Sequence, residues 1–245
     1  MAELNLRNNG LFKHRRKHKF KSDEGSIAKN AGTKIISFNP RDYWSFMTHA
    51  IGIVFGIFAT IYMIAEKSGM KNESLIPYLA FGLSIVALYS ASSFYHYYNG
   101  PKEKLVRVRK LDHSIIFVLI AGSYTPILSR TLTGTKEIVF LSAMWLLAAL
   151  GCVMKIFWLN APRWLYTSLY IIMGWAIVIS PQALFSLSKQ SLWLLVFGGL
   201  SYTAGAVLYI LKKPNITESF GFHEIFHCFI LLGTVLHFLS IGVYM

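Results

Sequence analysis

Residues 222–244 read FHEIFHCFILLGTVLHFLSIGVY, an almost unbroken apolar block. Its length matches the roughly 20 residues that a helix needs to cross the hydrocarbon core of a bilayer. The block also contains His-Glu-x-x-His at His223, Glu224 and His227, the spacing found on the zinc-binding helix of metalloproteases. The two histidines are four positions apart and therefore share one face of the predicted helix. The block thus predicts a membrane helix that carries two adjacent imidazoles.

The rest of the chain repeats this apolar pattern. Of its 245 residues, 54% are hydrophobic and only 14% are charged, and that charged fraction is about half of the fraction typical of a soluble domain. Apolar blocks of membrane length lie at 43–65, 76–98, 112–132, 137–158, 163–183, 190–211 and 222–244. We therefore predict an all-α, polytopic integral membrane protein whose residues 43–245 form a seven-transmembrane helix bundle.

Residues 1–42 are polar and contain ten of the 24 lysines and arginines, including the run KHRRKHKFK at 13–21. No apolar segment with a cleavage site follows this run, so we expect no signal peptide. We interpret 1–42 as a basic, disordered cytoplasmic tail. The net charge of +13 could indicate nucleic-acid binding, but the positive charge is concentrated in this tail and in short loops. That distribution favours the lipid bilayer, and no nucleic acid, as the partner.

The distribution of charge between the loops predicts the orientation of the chain. If the N-terminus is cytoplasmic, nineteen of the 24 lysines and arginines fall in cytoplasmic segments and five fall outside. The positive-inside rule favours this arrangement. We therefore expect a multi-pass protein of the cell membrane with a cytoplasmic N-terminus and an external C-terminus. The sequence does not indicate an oligomeric state.

Ionisable side chains inside the predicted spans are the candidate functional residues, because their burial in a bilayer is costly. The predicted topology places four of them at similar depth in the cytoplasmic leaflet. His96 ends the second span, Asp112 begins the third, and His223 and His227 begin the seventh. A random scatter of polar residues would not produce this grouping, so the four residues predict a metal site.

Three imidazoles and a carboxylate suit zinc, which takes three or four protein ligands. We predict that His96, His223 and His227 bind Zn²⁺. Asp112 is either a fourth ligand or a base that holds and deprotonates the bound water. Ser92 lies one turn before His96 on the same helix face, where its hydroxyl could bond the ligand or the water.

The other polar residues of the spans are expected to be structural. We interpret His49, His113 and His237 as hydrogen-bonded packing residues, although the depth of His49 matches that of the cluster. His113 should point about 100° away from Asp112. Glu224 could act as the base of a peptidase, as in soluble zincins, but we favour a position facing the cytoplasmic interface.

Several motifs occur in a specific order along the chain: THAIG at 48–52, SSFYH at 92–96, LDHSIIFVLIAGSYTP at 111–126, MGW at 173–175, FHEIFH at 222–227 and HF at 237–238. With this set of motifs the sequence resembles the hemolysin III family, within the progestin and adipoQ receptor superfamily. The resemblance covers nearly all of residues 43–245, and the basic tail lies outside it.

The resemblance implies a seven-helix bundle with zinc near the cytoplasmic leaflet. It implies His96, His223 and His227 as zinc ligands, Ser92 as a neighbour of a ligand, and Asp112 as a residue beside the zinc water. The related adiponectin receptors and alkaline ceramidases are linked to hydrolysis of lipid amides. The receptor branch has an acidic residue several positions before its Ser-x-x-x-His, whereas the stretch before Ser92 contains none.

Two functions follow as hypotheses. The first is a zinc-dependent membrane hydrolase that cleaves an amide or ester bond of a lipid substrate, with Asp112 and Ser92 as catalytic residues. The second is a non-catalytic protein in which zinc joins helices and which acts as a pore, a haemolysin or a membrane-stress factor. The family name implies cytolysis, which no motif here independently indicates. A closed four-ligand shell would favour the second hypothesis, and an open water position would favour the first.

Overall fold

The structure, a computed structural model, describes residues 39–70 and 73–245. The predicted tail at 1–42 lies outside the described residues except for its last four positions. Every regular element in the described ranges is helical. The α-helices are α1 (Tyr43–Ser68), α2 (Ile76–Tyr97), α3 (Lys102–Thr131), α4 (Thr135–Phe157), α5 (Arg163–Gly174), α6 (Pro181–Phe185), α7 (Lys189–Leu211) and α8 (Phe222–Phe238). A 3-10 turn at Ala176–Ile179 follows α5, and a π-helical turn at Leu239–Val243 extends α8.

Six helices in the described part of the chain are long and apolar enough to cross a membrane: α1, α2, α3, α4, α7, and α8 with its π turn. They confirm the predicted all-α, polytopic membrane bundle. Large apolar side chains such as Val54, Leu146 and Trp193 are exposed on α1, α4 and α7, as expected of surfaces in contact with lipid. The number of uninterrupted membrane-length helices is six, however, and not the seven predicted.

The predicted fifth span, 163–183, is the block that differs. α5 stops at Gly174, a 3-10 turn follows, and α6 begins at Pro181. Proline has no N–H and disfavours a helical conformation in the residue before it, so Pro181 favours a new helix start. The Tyr124 hydroxyl of α3 donates to the Gly174 carbonyl (2.9 Å) and accepts from the Ile177 N–H (2.8 Å). One side chain thereby satisfies two backbone groups freed by the break, as apolar surroundings require.

The broken segment still joins the two ends of the bundle. At its start, the Arg163 guanidinium donates to the carbonyl of Tyr209, near the end of α7 (2.8 Å). Near its end, the Gln182 side chain accepts a hydrogen bond from Lys136, at the start of α4 (3.0 Å). The chain therefore passes from one end of the bundle to the other between α4 and α7, but through an interrupted helix.

α1 and α2 lie very close together because glycines of α1 face side chains of α2. A Cβ atom at Gly52 would lie 2.3 Å from the ring of Tyr89, and one at Gly56 would lie 2.7 Å from Ile85. Small residues permit such an approach between membrane helices. The close contact holds the start of α1 beside the end of α2, where His96 is located.

Candidate metal centre

Three histidines from two helices converge at one end of the bundle. His96 lies at the C-terminal end of α2, and His223 and His227 lie in the first two turns of α8. One ring nitrogen of each residue lies within 4.8 Å of one ring nitrogen of each of the others. The structure therefore brings together the three histidines that the sequence assigned to one site.

The spacing of this cluster fits a zinc ion. Two nitrogens at about 2.0–2.1 Å from a tetrahedral zinc ion are ~3.4 Å apart. The Nε2 atoms of His96 and His223 are 3.4 Å apart. The rings of His223 and His227 have their centroids 4.5 Å apart, as expected for residues four positions apart on one helix face. Three imidazoles are also a ligand set that zinc uses in catalytic sites.

An acidic residue just before α1 orients the His96 ring. The Nδ1 atom of His96 lies 3.1 Å from a carboxylate oxygen of Asp42, and Arg41 Nε donates to the same oxygen (2.8 Å). Burial raises the pKa of Asp42, but the hydrogen bonds and charges of His96 and Arg41 outweigh this effect and lower the pKa to about 2. The charged carboxylate accepts the Nδ1–H of His96, which leaves Nε2 free to bind a metal.

Sequence reasoning missed Asp42, because it assigned this residue to the tail. The one available signal was an acid directly before an apolar block. Nothing in the sequence indicated that this acid would meet the end of α2, where the Asp42 N–H also donates to the His96 carbonyl (3.1 Å).

α1 also supports His227. The Thr48 hydroxyl lies 3.3 Å from Nδ1 of His227, and the His49 ring lies against the His227 ring with 3.7 Å between centroids. His49 is buried, and within the described ranges its ring nitrogens have no hydrogen-bond partner. The expectation of a hydrogen-bonded His49 is therefore wrong. It is a packing residue, and it contacts a member of the cluster.

Asp112 and Ser92 lie together at the same end of the bundle. Both side chains are buried, with 2% of Ser92 and 8% of Asp112 exposed. Nδ1 of His113 lies 3.1 Å from Asp112, so the His113 ring turns back to its neighbour and does not point away as predicted. Adjacent residues of a helix direct their Cβ atoms to different sides, but the side-chain rotamer determines the final position of the ring.

Asp112 is close to the cluster without being one of its members. Among the described residues, the group of His, Cys, Asp and Glu side chains whose ligand atoms all approach within 4.8 Å comprises His96, His223 and His227. The Asp112 carboxylate instead contacts its neighbouring histidine, His113. The arrangement is therefore a three-nitrogen cluster with a carboxylate beside it.

Two other polar residues of α8 lie outside the cluster. The Glu224 carboxylate accepts hydrogen bonds from the Ser45 hydroxyl (2.6 Å) and from the Gly221 N–H at the start of α8 (2.8 Å). Glu224 therefore caps its own helix and fastens it to α1. His237 packs against Tyr202, with 5.1 Å between ring centroids, but within the described ranges its ring nitrogens have no hydrogen-bond partner, so the expectation of a hydrogen-bonded His237 is also wrong. Neither residue has the position that a base or ligand of this site requires.

A cavity of about 230 Å³ extends from the site along the bundle. At the site end its walls include Ser92, Asp112, His223 and His227. On α3 the lining residues continue from Asp112 to Ile127, a length of roughly 22 Å at 1.5 Å per residue. Most of the lining side chains beyond the site end are apolar. A cavity of this shape accommodates a linear apolar group with one end beside the histidines.

Comparison with known proteins finds relatives across most of the chain. Residues 39–238 match the family described as Haemolysin-III related. The Hemolysin-3 homolog of Bacillus subtilis (strain 168) is 35% identical over 200 residues, which cover 81% of this chain and 91% of that protein. Hemolysin-3 of Bacillus cereus is 34% identical over 216 residues, which cover 86% and 95%. The adiponectin receptor protein of Drosophila melanogaster is 27% identical over 215 residues, which cover 80% and 48%.

Proposed function

This chain belongs to the haemolysin-III-related family, and from that premise and the geometry of the site we propose that it is an integral-membrane, zinc-dependent hydrolase of lipid amide or ester bonds. One observation carries the proposal. Three converging histidines lie at the end of a long apolar cavity, and a buried carboxylate and a serine line the same end of that cavity. Such an arrangement brings a metal, a base and an acyl chain together. The more distant likeness to an adiponectin receptor supports the wider superfamily.

In this proposal His96, His223 and His227 hold the zinc ion through their ring nitrogens. Asp42 fixes the ring of His96, and Thr48 fixes the ring of His227. Bound there, zinc would supply Lewis acidity, which polarises a carbonyl group and makes a water molecule more acidic. Side chains that bond the second ring nitrogen, as Asp42 and Thr48 do here, orient metal-binding histidines in many proteins.

Asp112 acts as the general base. It accepts a proton from the attacking water and returns that proton to the leaving nitrogen or oxygen. In this proposal the Ser92 hydroxyl, which lines the same end of the cavity, donates to the Asp112 carboxylate and keeps it directed at the reacting bond. General acid–base catalysis of this kind typically contributes about 10²–10⁴-fold in rate. The acyl chain of the substrate extends into the apolar cavity, where it excludes water from the site.

The site lies in the cytoplasmic leaflet in this proposal, since the loops at the site end carry most of the positive charge. The interrupted segment at 163–183 counts as a crossing because it joins the two ends of the bundle, so the C-terminus lies outside. A reporter enzyme that is active only outside the cell membrane should be active when fused after Met245 and inactive when fused within 212–221. The reverse pattern would contradict this orientation.

Metal analysis of the purified protein tests the zinc site. We expect about one zinc ion per chain in the wild type, and a large loss in His96→Ala and His227→Ala. His237→Ala is the matched control, because it removes a histidine of α8 that lies outside the cluster. A wild-type protein without stoichiometric zinc would refute the proposal.

Turnover of membrane lipids tests the catalytic assignment. Asp112→Asn should lower hydrolysis by about 100-fold or more and retain zinc. Glu103→Gln is the control, since it removes an exposed acid at the start of the same helix. Unchanged turnover in Asp112→Asn would remove Asp112 as the base. If the zinc-loaded wild type hydrolyses no lipid amide or ester, the non-catalytic alternative remains, and lysis of red cells then becomes the relevant assay.

A further inference from the structure

Two tyrosines from separate helices flank the metal centre. Tyr166 of α5 and Tyr209 of α7 both line the cavity, and their hydroxyl oxygens are 3.1 Å apart. The ring of Tyr209 lies 5.9 Å from that of His223. The ring of Tyr166 lies 6.1 Å from that of His113, the residue that contacts Asp112. The tyrosine pair is therefore next to one histidine of the metal cluster and next to the histidine that contacts Asp112.

This tyrosine pair has one hydrogen-bond donor to spare. Two hydroxyls carry two hydrogens, and the single bond between them uses only one. In the described part of the chain, the Tyr166 and Tyr209 hydroxyls bond each other and no other acceptor. A buried donor without an acceptor is costly. The second O–H is therefore available to a polar group in the cavity.

Two basic side chains lie against the faces of these rings. Lys155 Nζ is 3.1 Å from the ring centroid of Tyr166, and the guanidinium carbon of Arg163 is 4.2 Å from that of Tyr209. Lys155 is fully buried, and within the described ranges its Nζ has no hydrogen-bond partner. A cation on a ring face draws on the ring electrons, and a charge acts strongly in a low-dielectric interior. Both effects favour negative charge in front of the tyrosine hydroxyls.

We propose that the Tyr166–Tyr209 pair is the donor that holds the carbonyl oxygen of the scissile bond while negative charge develops on it. This inference rests on the proposed hydrolase function. As water adds to the carbonyl carbon, an electron pair of the C=O bond moves onto the oxygen and Asp112 takes a proton from the water. When the bond to the leaving nitrogen or oxygen breaks, the C=O bond re-forms and the leaving atom takes that proton. Lys155 and Arg163 act through the tyrosines and are positioning residues.

The first test is kinetic. Tyr166→Phe and Tyr209→Phe should each lower kcat by about 100-fold or more and change KM little, because a donor aimed at a developing oxyanion acts in the transition state. Tyr78→Phe is the matched control. It removes the hydroxyl of another buried tyrosine, which bonds Glu73 and does not line the cavity. A loss of the same size in Tyr78→Phe, or no loss in both pair variants, would overturn the inference.

The second test uses zinc-free, full-length protein and requires no turnover. A fatty-acid carboxylate presents the kind of negative oxygen that the pair is proposed to hold, whereas a fatty alcohol of the same length does not. The wild type should bind the acid about tenfold or more tightly than the alcohol, because hydrogen bonds to charged groups are strong. Tyr209→Phe and Lys155→Met should reduce this ratio, and Tyr78→Phe should preserve it.

The two proposals fail in different ways. Equal affinity of the wild type for the acid and the alcohol, or a preference that survives both Tyr166→Phe and Tyr209→Phe, would overturn the role of the tyrosine pair. A preference that depends on the pair, in a zinc-loaded wild type that hydrolyses no lipid, would instead refute the hydrolase and leave an anion-binding pair.

Discussion

Replacing Asp42 by asparagine tests whether the residue before α1 tunes metal binding through His96. In the wild type, Nδ1 of His96 lies 3.1 Å from a carboxylate oxygen of Asp42. The substitution keeps a side-chain oxygen at this position and removes the negative charge. Carboxylate partners of metal-binding histidines typically contribute about 10- to 100-fold in metal affinity. The Asp42 side chain is 43% exposed, and solvent screens exposed charges. We therefore expect the lower end of this range, about tenfold weaker zinc binding, which corresponds to a loss of ~1.4 kcal/mol in binding free energy.

Competition with chelators of graded affinity measures this difference in full-length protein reconstituted into lipid nanodiscs. Glu103→Gln is the control for net charge, because it also removes one negative charge, from an exposed position. Equal zinc affinity of the wild type and Asp42→Asn would refute the reasoning. An equal loss in Glu103→Gln would show that net charge, and not the contact with His96, controls zinc affinity.

Three further substitutions test the packing around the site by thermal unfolding in detergent. Gly52→Ala forces a methyl group against the ring of Tyr89 and should lower the free energy of unfolding by about 1–3 kcal/mol. Gly69→Ala is its control, because the space around Gly69 is open, and it should change stability by less than about 0.5 kcal/mol. Thr234→Val removes the shared hydroxyl partner of two tyrosines and should cost about 1–3 kcal/mol. Glu224→Gln weakens the cap of α8 by about 1 kcal/mol and should leave lipid turnover intact. Lost turnover in Glu224→Gln together with retained turnover in Asp112→Asn would restore the peptidase interpretation.

Much of the candidate site could be predicted because its residues obey short-range rules. His223 and His227 share a helix face by their spacing alone. His96 and Asp112 were grouped with them by counting membrane crossings, which needs only the apolar blocks and the loop charges. The predicted count of seven membrane-length helices was wrong because the fifth block is interrupted, although the ends of that block contact Tyr209 and Lys136.

Several features that the sequence did not predict depend on contacts between separate segments of the chain. Tyr124 bonds the backbone of the fifth block from 50 residues away, and periodicity along that block carries no trace of it. Asp42 contacts His96 from 54 residues away. Lys155, counted with a cytoplasmic loop, is buried against Tyr166 in the structure. In each case the partner is chosen by helix packing.

The sequence by itself determined that this is a helical membrane protein, and it predicted which three histidines converge. Hydrophobicity and charge are summed along a segment, so a linear chain is enough to reveal them. Only the tertiary structure decided that His113 contacts Asp112, that Asp42 orients His96, and that a tyrosine pair flanks the cluster. Those features depend on rotamers and on which helices are neighbours, and both are set by packing in three dimensions.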